Sequence, residues 1–537
     1  MTVHVHTIAV GLAIAVATAA TAATAATAAT AATAATAATA APLSAQGAAL
    51  SRADAQLVER LLLAEDHRDT TLATYVDGLR HSDARIRVIA QRGMGRSRDP
   101  LFALRDSLPA LPAPPTFGEE PAWRLRYRAL GRTNSDCAIL LGALNDDAWQ
   151  VRLRGADLVT SACANDNAIA GILREWVRVV PTTSARTSGG VSWHGAAHGL
   201  TALTRIAPAD ARTALPRFTA SRIPEVRIYA ARAAATLNDT TVLRRLAADG
   251  DDNVRETAIG GLARVAGHSA DDVFIAAMSA RGGQVVRAAA TALKESPRGT
   301  DVLTASIAAA MRLQRDSSET SRRIRAAVAT RVAEFAKQAD WPRIAPLATD
   351  YDCRIAEAYS AIGISIGVAN ATHTCVPIPI ELPPNAARLA LGAEVRLRVV
   401  MADSSGGGSF TVRLRGDVAP VMAARVLALA RSGWYDGNQW HRVEADFVIQ
   451  GGAPGANEFR GHPRFFRDEL GTVPHARGTV GLSTGEHDTG DAQWFVNVRD
   501  NLRLNRDYTV FAEISDGIDV VDGIFEGDVI SRIEVVR

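Results

Sequence analysis

The stretch that decides the fold of the C-terminal part is Trp440-His441-Arg442-Val443, followed by Phe447-Val448-Ile449-Gln450-Gly451-Gly452. Two later runs, Ala492-Gln493-Trp494-Phe495 and Tyr508-Thr509-Val510-Phe511, are also short and mainly apolar or aromatic. Short runs of this composition are typical of β-strands. Together the four runs contain one arginine and two glutamines among mainly apolar and aromatic residues.

The residues before this stretch also predict strands. Residues 394–400 and 410–414 alternate apolar and polar side chains, and the glycine-rich residues 404–408 separate them as a turn. These two strands are predicted to form a hairpin. A helix is predicted over 419–432, because Pro420 stands near its start and Gly433 just past its end.

Further upstream, residues 53–367 are predicted to be helical, because apolar residues recur there at helical spacing. A short pattern returns in this region: an aliphatic residue, an arginine, and a small or aliphatic residue three positions after the arginine. Its last four copies lie at 226–230, 254–258, 286–290 and 324–328, about 28 to 38 residues apart. This spacing is inside or just below the range of helical repeat arrays.

The pattern resembles a solenoid of HEAT-like repeats, in which stacked helix pairs bury a continuous apolar stripe. The arginine leaves that stripe, so it is predicted to bond a carbonyl or carboxylate of the previous repeat. An irregular helical bundle rich in alanine and arginine is the alternative, because the spacing between Arg152 and Val226 is uneven.

A chain of 537 residues exceeds what one hydrophobic core usually supports, so several domains are expected. The predicted organisation is a signal peptide with an Ala/Thr low-complexity segment (1–46), a HEAT-like α-solenoid (47–370), a proline-rich linker (371–392) and a β-domain (393–537). The linker is set by prolines, which cannot continue a helix.

Further motifs lie before, between and after these strand-like blocks. They are Asp417-Val418-Ala419-Pro420, Gly433-Trp434-Tyr435-Asp436-Gly437, Arg477-Gly478-Thr479-Val480 and Gly517-Ile518-Asp519-Val520-Val521-Asp522. With these motifs, residues 394–536 resemble a cyclophilin, a peptidyl-prolyl cis/trans isomerase. The resemblance implies an all-β closed antiparallel barrel of eight strands, capped by two helices, after the all-α solenoid. Closure of this kind removes exposed sheet edges.

The resemblance also implies the site residues. Arg442 matches the catalytic arginine of the family. The implied substrate-binding residues are Phe447, Gln450, Leu482, Ser483, Gln493, Phe495, Leu504 and Tyr508. Arg503 stands where many members carry a tryptophan.

The function that these residues predict is isomerisation of X-Pro peptide bonds during the folding of exported proteins, with the helical repeats binding protein. The alternative is a proline-peptide binding module without catalysis, carried on a helical scaffold. The predicted partners are proline-containing client polypeptides and an unknown protein on the solenoid. No cofactor or metal is implied. Nucleic acid is not expected as a partner, because the net charge is +2 and no basic block stands out.

The N-terminus predicts export. An apolar run over residues 8–17 precedes small residues, which is the order of a secretory signal. A basic region before that run is missing, so a cytoplasmic location is the alternative to a periplasmic or secreted one. A stable membrane span is not expected, because threonine interrupts the tract at every third position.

The chain contains four cysteines, Cys137, Cys163, Cys353 and Cys375. Each of the pairs Cys137–Cys163 and Cys353–Cys375 could bridge neighbouring elements in an oxidising compartment. Four buried thiols, which behave as small hydrophobic groups, are the alternative.

Overall fold

The computed structural model describes residues 50–98, 117, 119–132, 136–186 and 192–536. The predicted signal and low-complexity segment, residues 1–46, lies outside these described residues. The described residues after Leu50 form one compact unit. In that part of the chain, no helix is both long and apolar enough to cross a membrane.

Helices occupy the first part of this unit, as the sequence predicted. Their bounds are α1 Arg52–Asp66, α2 Leu72–Leu79, α3 Ala84–Arg98, α4 Ala122–Leu130, α5 Cys137–Leu144, α6 Trp149–Leu158, α7 Asn167–Arg178, α8 His194–Ile206, α9 Pro208–Thr219, α10 Pro224–Thr236, α11 Thr240–Leu246, α12 Asp252–Ala266, α13 Asp271–Ala277, α14 Gly283–Ala292, α15 Gly299–Gln314, α16 Arg322–Phe335, α17 Trp341–Ile344 and α18 Cys353–Ser365.

Aspartates fix where several of these helices begin. Asp136, Asp166, Asp239, Asp251 and Asp352 stand at the N-cap positions of α5, α7, α11, α12 and α18, and each side chain accepts hydrogen bonds from backbone N–H groups of the first turn. These bonds satisfy donors that a helix start otherwise leaves free.

The even-numbered helices from α4 to α18 pack against one another in sequence and form one layer, which we call the inner layer. The repeated pattern explains this packing. In its last four copies the aliphatic and small residues are all buried: Val226, Ala230, Val254, Ala258, Val286, Ala290, Ile324 and Val328. The stripe is therefore continuous from α10 to α16, as stacked repeats require.

The arginines of the pattern were predicted to bond the previous repeat, and this is correct for Arg287, which pairs with Glu256 at 3.2 Å. It is wrong for Arg227 and Arg325, which pair with Asp249 at 2.8 Å and with Asp350 at 2.7 Å. Asp249 lies in the loop before α12, and Asp350 lies in a two-residue strand just before α18. The guanidinium can reach a turn that follows its own helix as well as one that precedes it. The pattern alone therefore does not predict which neighbouring repeat the arginine contacts.

The region predicted to be a linker, residues 371–392, contains two short elements. Strand β2 (Thr374–Cys375) pairs in parallel with β1 (Thr349–Asp350), and α19 (Ala386–Ala390) packs against α1 and against α20 (Pro420–Arg431). These contacts tie the segment to both parts of the molecule.

An antiparallel eight-stranded sheet follows. Its strands are β3 Arg396–Met401, β4 Ser409–Leu414, β5 Arg442–Val443, β6 Val448–Gly451, β7 Thr479–Leu482, β8 Trp494–Asn497, β9 Val510–Asp516 and β10 Ile530–Val536, and α21 (Ile518–Asp522) precedes the last strand. The strand order is β10-β3-β4-β9-β7-β8-β6-β5. The predicted hairpin is β3–β4, and the predicted helix over 419–432 is α20.

The closed barrel that was predicted is not confirmed. The sheet curls strongly, but no strand ladder in the described part of the chain joins its edge strands β5 and β10. An isolated bridge between Gln439 and Val529 connects the segments that precede these two strands. The result is an open half-barrel.

The inner layer of helices faces this half-barrel along most of its length. His194 of α8 donates to the Glu526 carbonyl at 2.7 Å, Asn253 of α12 donates to the Gly455 carbonyl at 3.0 Å, and Arg354 of α18 pairs with Glu486 at 3.0 Å. Helices and sheet are therefore two walls of one structure rather than separate bodies.

Both disulfides are formed. Cys137 bonds Cys163, and Cys353 bonds Cys375, with Cα atoms 5.6 and 5.0 Å apart. This settles the alternative that the sequence left open, since the described residues contain no free cysteine. The second bridge joins α18 to β2.

Candidate active site

Strand register brings the predicted site residues together. Arg442 on β5 lies opposite Gln450 on β6, and Gln450 lies opposite Phe495 on β8. Residues that share a row across adjacent strands point to the same face of a sheet. Three residues from distant parts of the sequence therefore form one row at the edge of the half-barrel.

The Arg442 guanidinium is held in a defined orientation. Its Nε donates to Glu444 Oε1 at 3.0 Å, its Nη2 donates to the same oxygen, and its Nη1 donates to Gln450 Oε1 at 3.2 Å. A guanidinium has five N–H donors, so two remain for a substrate. The side chain is 40% exposed, which makes those donors accessible.

A chain of hydrogen bonds continues from Arg442 into the protein. Gln450 Nε2 donates to Gln493 Oε1 at 3.3 Å, and Gln493 Nε2 donates to Asp491 Oδ2 at 3.1 Å. Each amide accepts at its oxygen and donates at its nitrogen, so all three bonds run in the same direction. Burial raises the pKa of the Asp491 carboxyl to about 6, although its bonds to Gln493 and the charge of Arg323 act against this.

An apolar hollow lies beside the guanidinium. Its floor is made by Val448, Phe495 and Leu504, which are buried, and its rim by Phe447 and Tyr508, which are half-buried. The rings of Phe495 and Tyr508 meet edge to face with centroids 5.8 Å apart. Such a hollow suits a saturated ring such as that of proline.

A buried histidine supports two sides of the hollow. His475 stacks on Phe495 with centroids 5.7 Å apart, and its Nε2 donates to the Tyr508 carbonyl at 3.1 Å. Its Nδ1 accepts from Asn497 at 3.1 Å, so the ring has one donating and one accepting nitrogen and is neutral. Burial lowers the pKa of His475 to about 4.

A cavity of about 660 Å³ contains the hollow and most of the predicted site residues. Seven of the eight predicted substrate-binding residues line it beside Arg442: Phe447, Gln450, Ser483, Gln493, Phe495, Leu504 and Tyr508. Leu482 does not, because its side chain is fully buried in β7. Arg503 also lines the cavity, and its guanidinium stacks on Phe447 at 4.3 Å from the ring centroid.

The opposite wall of the cavity was not predicted. It is formed by α14, α16 and α18 of the inner layer through the lining residues Arg287, Thr291, Arg322, Arg323, Ala326, Ala327, Arg354, Ile355 and Ala358. Phe459, from the loop after β6, lies between the two walls and receives Arg287 at 4.3 Å from its centroid. The arginine of the repeat pattern was the one available signal, since it predicted a charge that leaves the buried stripe.

The site can stabilise a twisted amide. A planar peptide bond resists rotation with a barrier of about 18–20 kcal/mol, because the nitrogen lone pair is shared with the carbonyl. Rotation withdraws that lone pair from the carbonyl and makes it available as an acceptor. The free donors of Arg442 lie beside the hollow, so they can bond the nitrogen of a proline seated there. Such a bond is stronger in the transition state than in the ground state.

Comparison with known proteins agrees with this geometry. The family model of cyclophilin type peptidyl-prolyl cis-trans isomerases matches residues 398–536, and the model of HEAT repeats matches residues 211–294. A peptidyl-prolyl cis-trans isomerase of Helicobacter pylori is 33% identical over 130 residues, which cover 24% of this chain and 80% of the relative.

Two further proteins are similar over the same part of the chain. Peptidyl-prolyl cis-trans isomerase B of Bacillus subtilis is 30% identical over 131 residues, covering 24% of this chain and 92% of the relative. The crystal structure of a cyclophilin type isomerase from Cryptosporidium parvum is 21% identical, covers 27% of this chain and 99% of its own, and has a TM-score of 0.26.

Proposed function

We propose that this chain, which belongs to the cyclophilin family of peptidyl-prolyl cis-trans isomerases, assists the folding of exported proteins by holding an unfolded client between its helical repeats and its isomerase site. The C-terminal domain is the isomerase, and HEAT repeats precede it.

The observation that carries the proposal is the composition of the cavity. One wall presents Arg442 and the apolar hollow, and the other presents α16 and α18 of the inner layer. A polypeptide whose proline occupies the hollow must therefore also contact the helices. A client held by the repeats stays near Arg442 for longer. When its proline leaves the hollow, the proline can bind there again without a new encounter between client and enzyme.

Two features support action on exported proteins. The order of apolar and small residues at 8–46 is that of a secretory signal. Two disulfides join elements of the helical part, and disulfides persist in oxidising compartments. N-terminal sequencing of the chain from its source cells tests export: the mature chain should begin between residues 18 and 47, whereas a cytoplasmic chain that begins at Met1 contradicts it.

Refolding of a test protein measures the holding role. The substrate should be a secreted protein whose refolding is limited by X-Pro isomerisation, a step that takes tens to hundreds of seconds without catalysis. Ala326→Trp places a large ring on the helical wall, where Ala326 is exposed to the cavity. We expect this variant to lower the acceleration on the order of tenfold, which corresponds to about 1.4 kcal/mol.

The matched control is Ala276→Trp, which changes an exposed alanine of α13, away from the cavity. It should accelerate refolding as well as the unaltered chain does. Equal rates for the Ala326 and Ala276 variants would show that clients do not use the helical wall. Failure of the unaltered chain to accelerate refolding, with activity on short peptides retained, would show that the isomerase does not serve unfolded proteins.

A further inference from the structure

The helical wall of the cavity is strongly cationic. Arg287 of α14, Arg322 and Arg323 of α16, and Arg354 of α18 line it, and we call these four residues the cationic wall. Arg442 and Arg503 add two positive charges from the opposite side. The carboxylates among the lining residues are Glu458, Glu486 and Asp491. These carboxylates belong to the isomerase side, so the excess of positive charge in the cavity lies on the helical wall.

Three arginines of the cationic wall are neutralised by neighbouring carboxylates. Arg287 pairs with Glu256 at 3.2 Å, Arg322 with Asp352 at 2.6 Å, and Arg354 with Glu486 at 3.0 Å. These pairs hold the arginines in place, but they also reduce the charge that a client meets.

Arg323 differs from the other three. Its side chain is exposed, and it forms no ion pair with any carboxylate in the described part of the chain. A Cβ added at Gly485, on the isomerase wall, would lie 3.1 Å from Arg323 Nη1. The guanidinium thus reaches across the cavity to the loop that follows β7.

An aromatic ring fixes the direction of this charge. Arg323 lies over Phe459 at 5.2 Å from the ring centroid, and Arg287 lies over the same ring at 4.3 Å. Cation–π contacts hold both guanidinium groups near one ring, although like charges at this separation repel each other. An anion bound between them relieves that repulsion.

We infer that Arg323, supported by Arg287 and Arg354, makes this isomerase selective for X-Pro segments flanked by aspartate or glutamate. A client carboxylate would pair with Arg323 while its proline occupies the hollow beside Arg442. The inference rests on the proposed function, because it places the client in the cavity between the two walls. Arg323 is then a specificity-determining residue that belongs to the repeats rather than to the isomerase domain.

The test uses the full-length chain and three proline-containing peptides that are alike except for glutamate, glutamine or lysine at the positions flanking X-Pro. Binding is measured by titration, and isomerisation by exchange spectroscopy on the same samples. At low salt, the glutamate peptide should bind about five- to tenfold more tightly than the lysine peptide. At 0.5 M salt, where the Debye length is about 4 Å, most of that ratio should disappear.

Arg323→Glu should reverse the preference, so that the lysine peptide binds more tightly than the glutamate peptide. The matched control is Arg264→Glu, which changes an exposed arginine of α12 that does not line the cavity. This control should keep the ratio of the unaltered chain. Because Arg323 forms no ion pair in the described residues, its substitution should leave the fold intact, which circular dichroism checks.

Outcomes for the two proposals can be told apart. Equal binding of the three peptides, or a ratio that Arg323→Glu does not change, overturns the selectivity while isomerisation of the peptides continues. Charge-selective binding without isomerisation supports the selectivity and overturns the proposed function. Absence of binding by all three peptides overturns both.

Discussion

At the scale of single residues, the site depends on how Arg442 is held. Its Nε and Nη2 donate to Glu444 on one side, and its Nη1 donates to Gln450 on the other. The resemblance predicted Arg442 and Gln450 from the sequence, because their motif is contiguous. Glu444 was not predicted, since an acidic residue two positions after an arginine is common on exposed strands and carries no signal by itself.

Arg442→Ala should lower kcat/KM for a proline-containing peptide by about 10²-fold, because one positioned donor to the transition state is lost. Exchange spectroscopy on the full-length chain measures this rate. Arg396→Ala is the matched control: Arg396 also lies on a strand, is 46% exposed and pairs with a glutamate two positions away, Glu394. The role of Arg442 is contradicted if both variants retain the rate of the unaltered chain.

Asp491 gives a prediction about pH. Its folded pKa of about 6 is above the ordinary value of 3.8 because the carboxyl is buried. Between these values the folded state binds more protons than the unfolded state, so this group stabilises the fold at low pH and the contribution is lost as pH rises through 6. Asp491→Asn removes the ionisation. The free energy of unfolding of this variant, relative to that of the unaltered chain, should therefore be about 2 kcal/mol higher at pH 7.5 than at pH 4.5.

Urea unfolding of both chains at the two pH values measures that difference. Asp147→Asn is the control, because it makes the same chemical change at a side chain that is 87% exposed. A difference between Asp491→Asn and the unaltered chain that does not change with pH would show that the Asp491 carboxyl ionises normally.

At the scale of elements, helices were predicted best where the sequence repeats the aliphatic-arginine pattern at regular intervals. The buried stripe of α10, α12, α14 and α16 follows directly from the repeated pattern. The eight-stranded sheet follows from the resemblance. The partners of the repeat arginines did not follow, because a long side chain reaches residues on either side of its own helix, and turn geometry decides between them.

The bridge between Cys137 and Cys163 should stabilise the helical part. It closes a sequence separation of 26 residues, so its loss should lower the free energy of unfolding by about 3.5 kcal/mol in the chain-entropy model. Urea unfolding of the double variant Cys137→Ser/Cys163→Ser measures this loss.

A neighbouring substitution separates the bridge from a local effect of serine. Ala162 is exposed beside Cys163, and Ala162→Ser should change the free energy of unfolding by less than about 0.5 kcal/mol. Thiol titration of the denatured, unreduced chain should detect no free thiol. Free thiols in that titration, or an unaltered free energy in the double variant, would contradict the bridge.

At the scale of the whole molecule, the packing of the helices on the half-barrel could not be predicted. Its contacts join residues hundreds of positions apart, and several use backbone carbonyls, which carry no sequence signal. Arg96 of α3 donates to the Leu470 carbonyl at 3.1 Å, and Arg425 of α20 pairs with Asp66 of α1 at 2.8 Å. The same packing creates the second wall of the cavity, so sequence motifs could not predict the selectivity inferred for Arg323 either.

Arg124 of α4 is the clearest test of this packing. Its side chain is 1% exposed and donates to the carbonyls of Ala445 at 3.0 Å and Val498 at 2.7 Å, and to Asp522 at 2.9 Å. Arg124→Ala removes the donor to the Ala445 carbonyl and empties a buried site, while the Val498 carbonyl and Asp522 keep their bonds to Arg477. We therefore expect a loss of about 2–3 kcal/mol in the free energy of unfolding.

Calorimetry distinguishes a joint structure from two independent domains. The unaltered chain should unfold in a single transition, since helices and half-barrel share buried contacts, and Arg124→Ala should lower its temperature or split it in two. The matched control is Arg126→Ala on the same helix, where Arg126 is 42% exposed and pairs with Asp146; its loss should cost less than about 1 kcal/mol. Two separate transitions in the unaltered chain, or equal effects of the two substitutions, would mean that the helices do not form a fixed wall of the cavity, and the selectivity of Arg323 would then lack its structural basis.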